Sequence, residues 1–267
     1  MLLKSIIYKI IFINVLLSSL FFDAKGVITI TNTSPKTIQY PTLLSLCITF
    51  KHVDNLTWII LEKVNTEAVE TLIRNCNLKI VHLTFGENKF PYNVALDHIR
   101  KGNFTDHVIY FASENNIYDA KLFKNIKQTK KAMMFKCGLS NGFIYEGPVL
   151  DKNGTIKTYK MKTNLFSNTT NIQINLSGIS LHSSMISQST VQFGTNCTKS
   201  IEECFIRDLG ISEWKHFETM PENKIMVWHA QKREFQPSTH IVLGKHPYLD
   251  FTDTFLINPK TTTKNEN

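Results

Sequence analysis

At 267 residues the chain is long enough to bury a full core, as one large α/β domain or two closely joined subdomains, and this excludes a mini-domain. The net charge of +8 is spread over scattered Lys and Arg with no basic patch interleaved with aromatics, so no nucleic-acid partner is expected; an anionic glycan or nucleotide sugar suits the charge better. Five cysteines are few and odd in number: no disulfide framework is expected, Cys197 and Cys204 are the one expected pair, and Cys47, Cys76 and Cys137 read as small buried apolar residues.

Residues 1–26 carry Lys4 and Lys9, the mostly apolar run Ile10–Phe22, then Asp23 and Lys25, the order of charge and hydropathy found in an export signal, either cleaved or retained as an anchor. Seven Asn-x-Ser/Thr sequons, at Asn32, Asn55, Asn103, Asn153, Asn168, Asn175 and Asn196, fit entry into the secretory pathway. The Thr/Ser/Asn-rich segment 27–40 reads as a stem, with the folded part beginning near Pro41.

From there Thr42–Thr49 reads as a buried first strand and Trp58–Glu62 as a second. Only about seven residues separate them, too few for the crossover of about a dozen that parallel neighbours need, so the first crossover helix is expected to be missing. Thr66–Cys76 has helical spacing, Leu78–Leu83 returns as a strand, Asn93–Lys101 is a second amphipathic helix, and Val108–Ala112 is an apolar strand that breaks into Ser113-Glu114-Asn115-Asn116. Ligands in α/β sheets sit outside the carboxyl ends of strands, so these polar residues are where chemistry is expected. Tyr118–Lys131 reads as a third helix, completing a nucleotide-binding half at 41–131.

The half from 132 to 232 is richer in β signals: Ala132–Gly138, Gly142–Tyr145, then Glu146-Gly147-Pro148-Val149, a turn at Lys152-Asn153-Gly154, and a strand to Tyr159. Ile172–Ser180 and Lys224–Trp228 read as further strands and Ile201–Leu209 as a helix, while the tail 233–267 loses periodicity. By themselves Glu202 is a carboxylate favoured by a helix N-terminus and His229 a histidine after a strand.

Phe111-Ala112-Ser113-Glu114-Asn115-Asn116-Ile117-Tyr118 resembles the metal-binding signature of the animal β-1,3-glucuronosyltransferases, nucleotide-sugar enzymes of the GT-A fold, in which three aspartates stand where Ser113, Glu114 and Asn115 stand here. Asn93-x-Ala95-Leu96-Asp97, Gly138-Leu139 with Glu146-Gly147-Pro148, the helix carrying Glu202, and Val227-Trp228-His229 are similar to family segments in the same order. The resemblance implies an α/β GT-A fold with a β-rich acceptor half, and inverting transfer of glucuronic acid from UDP-glucuronate to a terminal galactose. It further implies Glu202 as the base, Glu146 and Asn175 on the substrate, His229 on the diphosphate, and Ser113, Glu114 and Asn115 on ribose and Mn²⁺, with Asn115 as metal ligand. Ile48-Thr49-Phe50 fall on the family's proline-threonine-tyrosine turn, which makes Thr49 and Phe50 nucleotide-binding candidates. A single-pass type II anchor in the Golgi membrane and a homodimer follow from the same resemblance. Against the family pattern, its uracil-contacting aspartate becomes Lys63, two nucleotide-binding arginines fall near Glu87 and Tyr92, and Asn175 and Thr170 replace an aspartate and an arginine. Lys63, Lys89 and Lys232 offer replacement cations for phosphate. A second reading is a GT-A domain without turnover that serves as a secretory-pathway binding protein.

Overall fold

The computed structural model describes residues 24–230 except 88, 103, 140–144, 161–165, 168–173, 195–196 and 198–199. The expected leader at 1–26 and the tail 233–267 lie almost wholly outside the described residues, and within them no helix is long and apolar enough to cross a membrane.

The segment expected to be a stem opens as a buried strand instead. Gly26–Asn32 is strand β1, buried over six of its seven residues. Its Val-Ile-Thr-Ile-Thr pattern is β-type, because threonine packs in a strand much as valine does. Thr29 and Thr31 are fully buried, and Trp58 donates its indole N–H to Thr31 Oγ1 at 3.0 Å.

Gln39–Phe50, which contains the run expected to be a strand, is helix α1, with Gln39, Thr42, Leu43, Leu46, Cys47 and Phe50 buried at helical spacing. Apolar residues also occupy its outer face, where Ile48 is exposed, and this blurred the period in the sequence. Helix α1 is the crossover thought missing: β1 pairs parallel with β2 (Leu56–Glu62), and the short interval before Trp58 is only the loop between α1 and β2.

The next units form as expected. Thr66 caps α2 (Glu67–Cys76) through a bond from the Val69 N–H, and Asn77 closes it in the left-handed region. Then come β3 (Lys79–Thr84), α3 (Pro91–Lys101) with proline in its first turn, and β4 (His107–Phe111). The helix expected over 118–131 is shorter. Asn116–Tyr118 is strand β5, the Asp119 N–H bonds to Met226 O, and α4 spans only Lys121–Ile126.

Ala132–Gly138 divides into β6 (Ala132–Met134) and β7 (Cys137–Leu139), where the chain leaves one sheet for another. Strands β8 (Tyr145–Leu150) and β9 (Ile156–Lys160) form the hairpin, with β10 (Phe166–Ser167) beyond. The strand expected at 142–145 lies outside the described residues except for Tyr145. Gly147 has φ of 139°, and a Cβ there would sit 2.9 Å from Lys136 Cα, so glycine is required where β8 presses on the β6–β7 turn. A 3₁₀ turn at Leu176–Gly178 leads into β11 (Ile179–His182), followed by α5 (Ser184–Ser187), α6 (Ile201–Asp208), β12 (Glu218–Thr219) and β13 (Val227–His229).

Among the described residues one sheet runs β12-β6-β11-β4-β1-β2-β3 and a second runs β10-β9-β8-β7-β13-β5. One face of the first sheet packs Trp58, Tyr110, Phe50 and Phe123; the other packs Ile28, Phe111, Phe193 and Phe205. Cys197 and Cys204 are bonded as expected. Cys47 and Cys76 are bonded as well, joining α1 to α2, which corrects their reading as free apolar residues; Cys137 alone of that group is a buried thiol.

Candidate active site

Parallel neighbours β1 and β4 end side by side, with Ile30 opposite Phe111, so the loops that follow them share one edge of the sheet. Strand β11 runs antiparallel to β4 and starts at that same edge, which brings Asn175–Gly178 beside Ser113–Asn116. The first sheet thus delivers two polar loops and one turn to a single place, and the second sheet closes over it through β5 and β13.

A chain of hydrogen bonds crosses this junction. His229 Nδ1 lies 3.0 Å from Asn116 Oδ1, and Asn116 Nδ2 donates to Ser177 Oγ at 2.9 Å. The amide is committed as donor to the serine, so its oxygen faces the ring and accepts from Nδ1; Nε2 has no partner among the described residues. The Ser177 N–H donates to Asn175 Oδ1 at 2.9 Å, and Asn175 Nδ2 donates to Glu146 Oε1. Tyr110 fixes the turn through a 2.8 Å bond to Ser177 O, and Tyr118 fixes the β4 exit through a 2.9 Å bond to Ser113 O. Three of the expected site residues, Glu146, Asn175 and His229, are therefore held in one network. Asn115 flanks it, its carbonyl accepting the Ala230 N–H at 3.1 Å.

Glu202 stands in the first turn of α6, which Ser200 caps through a bond from the Glu203 N–H. Tyr92 on α3 connects it to the site: its ring packs edge-on against Phe111, and burial, then the nearby Glu202 carboxylate, hold its hydroxyl pKa above the ordinary value. The α6 backbone is set by Phe205, which stacks on Phe193 at 3.8 Å between ring centroids. Cys137 lies opposite Glu146 in the β7–β8 pairing, and burial, then the Glu146 carboxylate, push its thiol well above the usual range, which leaves it without nucleophilic character.

Two expected residues are not at this edge. Thr49 and Phe50 end helix α1, which carries the chain back to the start of β2, at the opposite side of the sheet. Phe50 is core, edge-on to Trp58 and Phe123, and the Thr49 hydroxyl bonds to Ser45 O within the helix. Because β1 is the first strand, the turn that follows it is Thr33-Ser34-Pro35, and Ile48-Thr49-Phe50 ends a helix instead. That turn supplies the residues missed in the sequence. Glu114, buried, accepts from Lys36 Nζ at 2.5 Å, Thr33 Oγ1 at 2.8 Å and Thr42 Oγ1 at 3.2 Å. Of the lysines considered for phosphate, Lys63 pairs with Glu87 at the surface, and Lys232 lies outside the described residues.

The donor set does not fit a resident Mn²⁺. Such an ion needs hard anionic oxygens, yet Ser113 and Asn115 are neutral and both carboxylate oxygens of Glu114 already accept from lysine and threonine. Among the described residues no group of three or more His, Cys, Asp or Glu side chains is arranged to hold a metal.

A mixed sheet whose parallel strands β4, β1, β2 and β3 end at a polar edge, under a second and mostly antiparallel sheet, has the architecture of the GT-A class of fold. TarS of S. aureus, in complex with UDP-GlcNAc, shares it with a TM-score of 0.53 at 13% identity, covering 81% of this chain and 62% of that one. The TarS 1-349 structure gives 0.51 at 14%, covering 77% and 60%. The Glycosyltransferase family 43 profile matches residues 46–233, well over half of the chain, and the chain belongs to that family. Its relatives include the Caenorhabditis elegans galactosylgalactosylxylosylprotein 3-beta-glucuronosyltransferase sqv-8, 26% identical over 76% of this chain and 63% of the relative. The Homo sapiens galactosylgalactosylxylosylprotein 3-beta-glucuronosyltransferase 1 is 25% identical over 76% and 67%, and the Drosophila melanogaster galactosylgalactosylxylosylprotein 3-beta-glucuronosyltransferase S is 30% identical over 48% and 34%. The chain thus spans about two thirds or less of the length of these relatives.

Proposed function

We propose that this protein transfers glucuronic acid from UDP-glucuronate to a terminal galactose of a glycan acceptor, with inversion at the anomeric carbon. The observation that supports it most is the continuous network from His229 through Asn116, Ser177 and Asn175 to Glu146, which ties the proposed diphosphate side to the proposed acceptor side. In this reading the acceptor 3-hydroxyl oxygen forms a bond to the sugar C1 as the bond from C1 to the diphosphate oxygen breaks. UDP leaves with the electron pair and Glu202 takes the hydroxyl proton. Glu146, steadied by Asn175, orients the galactose, and His229, with both ring nitrogens protonated, donates from Nε2 to a phosphate oxygen while Nδ1 stays bonded to Asn116. Ser113 and Asn115 face the ribose, and no step is routed through a metal.

The N-terminal anchor, Golgi location and homodimer remain part of this proposal. Two disulfides among the described residues suit an oxidising compartment.

The test is transfer to galactose-terminated acceptors measured beside UDP binding. Glu202→Gln should lower transfer by about 10²–10⁴-fold, the range for a lost general base, and leave UDP affinity unchanged. Unaltered turnover in that variant would remove Glu202 from the mechanism. Binding of a glycan with no turnover in the wild type would favour a binding protein on a GT-A scaffold.

A further inference from the structure

We propose that Lys36 supplies the positive charge for the donor diphosphate, so that nucleotide binding by this protein requires no divalent cation. The inference rests on the reading of this cleft as a UDP site, and it concerns what neutralises the phosphates there.

Lys36 comes from the loop after β1 and Glu114 from the loop after β4, and these strands are parallel neighbours whose carboxyl ends form the ligand-facing edge. Lys36 Nζ and Glu114 Oε1 are 2.5 Å apart, with side-chain exposures of 28% and 7%. The carboxylate is thus turned inward onto Lys36, Thr33 and Thr42, while the ammonium remains partly open.

An ammonium has three N–H donors, and Glu114 is the only acceptor that Lys36 Nζ meets among the described residues, so two are left for anionic oxygens. Glu114 therefore positions a lysine where an acidic run would position a metal ion. The loop under Lys36 is itself fixed: Gln39 Nε2 reaches both Thr33 Oγ1 at 3.3 Å and Glu62 Oε1 at 2.8 Å, tying the start of α1 to β2. A lysine on a braced loop presents its charge to a phosphate with little reorganisation, which is what a diphosphate leaving group needs. Lys63 is a poorer candidate because its side chain and that of its partner Glu87 are 54% and 83% exposed, so neither is held in place and solvent screens the charge.

The experiment titrates the full chain with UDP by calorimetry, once in EDTA and once with Mn²⁺. The expected result is the same affinity in both, and a fall of about tenfold to a hundredfold in Lys36→Met, the loss typical of one charge-assisted contact. Lys36→Arg should keep most of the binding. Because Lys36→Met strands a buried carboxylate, the double variant Lys36→Met with Glu114→Gln is measured beside it and should show the same loss from a folded protein. Binding that appears only with Mn²⁺, or that survives in both methionine variants, overturns the role of Lys36. No binding of UDP in either buffer removes the donor-site reading as a whole.

Discussion

Glu62 is fully buried at the end of β2 and still carries a carboxylate, which is tolerable only because three side chains turn toward it: Gln39 Nε2 at 2.8 Å, Thr66 Oγ1 at 2.7 Å and His82 Nε2 at 2.9 Å. Each partner comes from a different element, so this one residue joins the helix after β1, the cap of α2 and strand β3. Glu62→Leu would take this acceptor from Thr66 and His82 and leave Gln39 Nε2 only its 3.3 Å bond to Thr33, at about 1–3 kcal/mol for each buried donor stranded. Urea unfolding should show a loss of at least that size at unchanged slope; a variant as stable as the wild type would mean that water replaces the carboxylate at little cost. Residues of this kind show which parts of the site were legible. Glu146, Asn175 and His229 stood in short motifs at strand ends, where position along the chain already implies the edge of a sheet. Lys36 and Thr33 did not, because a lysine in a Thr/Ser/Pro-rich run looks like solvent-facing linker until the strand before it is recognised. The inward turn of Glu114 was not legible either, since it depends on a partner 78 residues away.

Helix α1 shows the same limit at the scale of an element. The helices Glu67–Cys76 and Pro91–Lys101 could be read from period, because each has one apolar and one polar face, and β2 and β4 from their apolar runs. Helix α1 has apolar residues on its outer side too, and β1 interleaves threonine with its aliphatics although both faces are buried, so neither shows the signal on which such readings depend. What holds α1 in place is partly covalent: Cys47 in α1 and Cys76 at the end of α2 are bonded across 29 positions, enclosing all of β2. A loop of that length is worth about 3–4 kcal/mol through the entropy it removes from the unfolded chain. Cys47→Ala with Cys76→Ala should lower the unfolding free energy by about that amount in non-reducing buffer, while the wild type in reductant should fall at least as far. If the double variant unfolds at the wild-type midpoint, the bond contributes nothing to stability and the packing of Leu43, Leu46 and Phe50 suffices.

For the molecule as a whole, the division into a nucleotide half ending at 131 and an acceptor half beginning at 132 follows chain order, but the first sheet does not respect it. Strands β11, β6 and β12 come from the later half and extend the sheet beyond β4, with Leu181 opposite Ile109 and Ser180 opposite Tyr110. Separated at this boundary, the earlier half would expose the β4 edge and the apolar face carrying Phe111, which Phe193 and Phe205 cover in the whole chain. The later half would lose the strand on which β11 pairs, and β5, which pairs with β13. An unpaired central strand beside an uncovered apolar face favours association over folding. The site is affected in the same way, because Asn116 belongs to one half and Ser177 and His229 to the other, so neither fragment contains the network. Fragments 24–131 and 132–232, expressed separately, should therefore lack dispersed amide spectra and cooperative unfolding, and should recover both, with any UDP binding, only when co-expressed. A folded, monomeric 24–131 that binds UDP unaided would show that the nucleotide site is complete on the β1–β4 side, and that Ser177 and His229 serve only the acceptor.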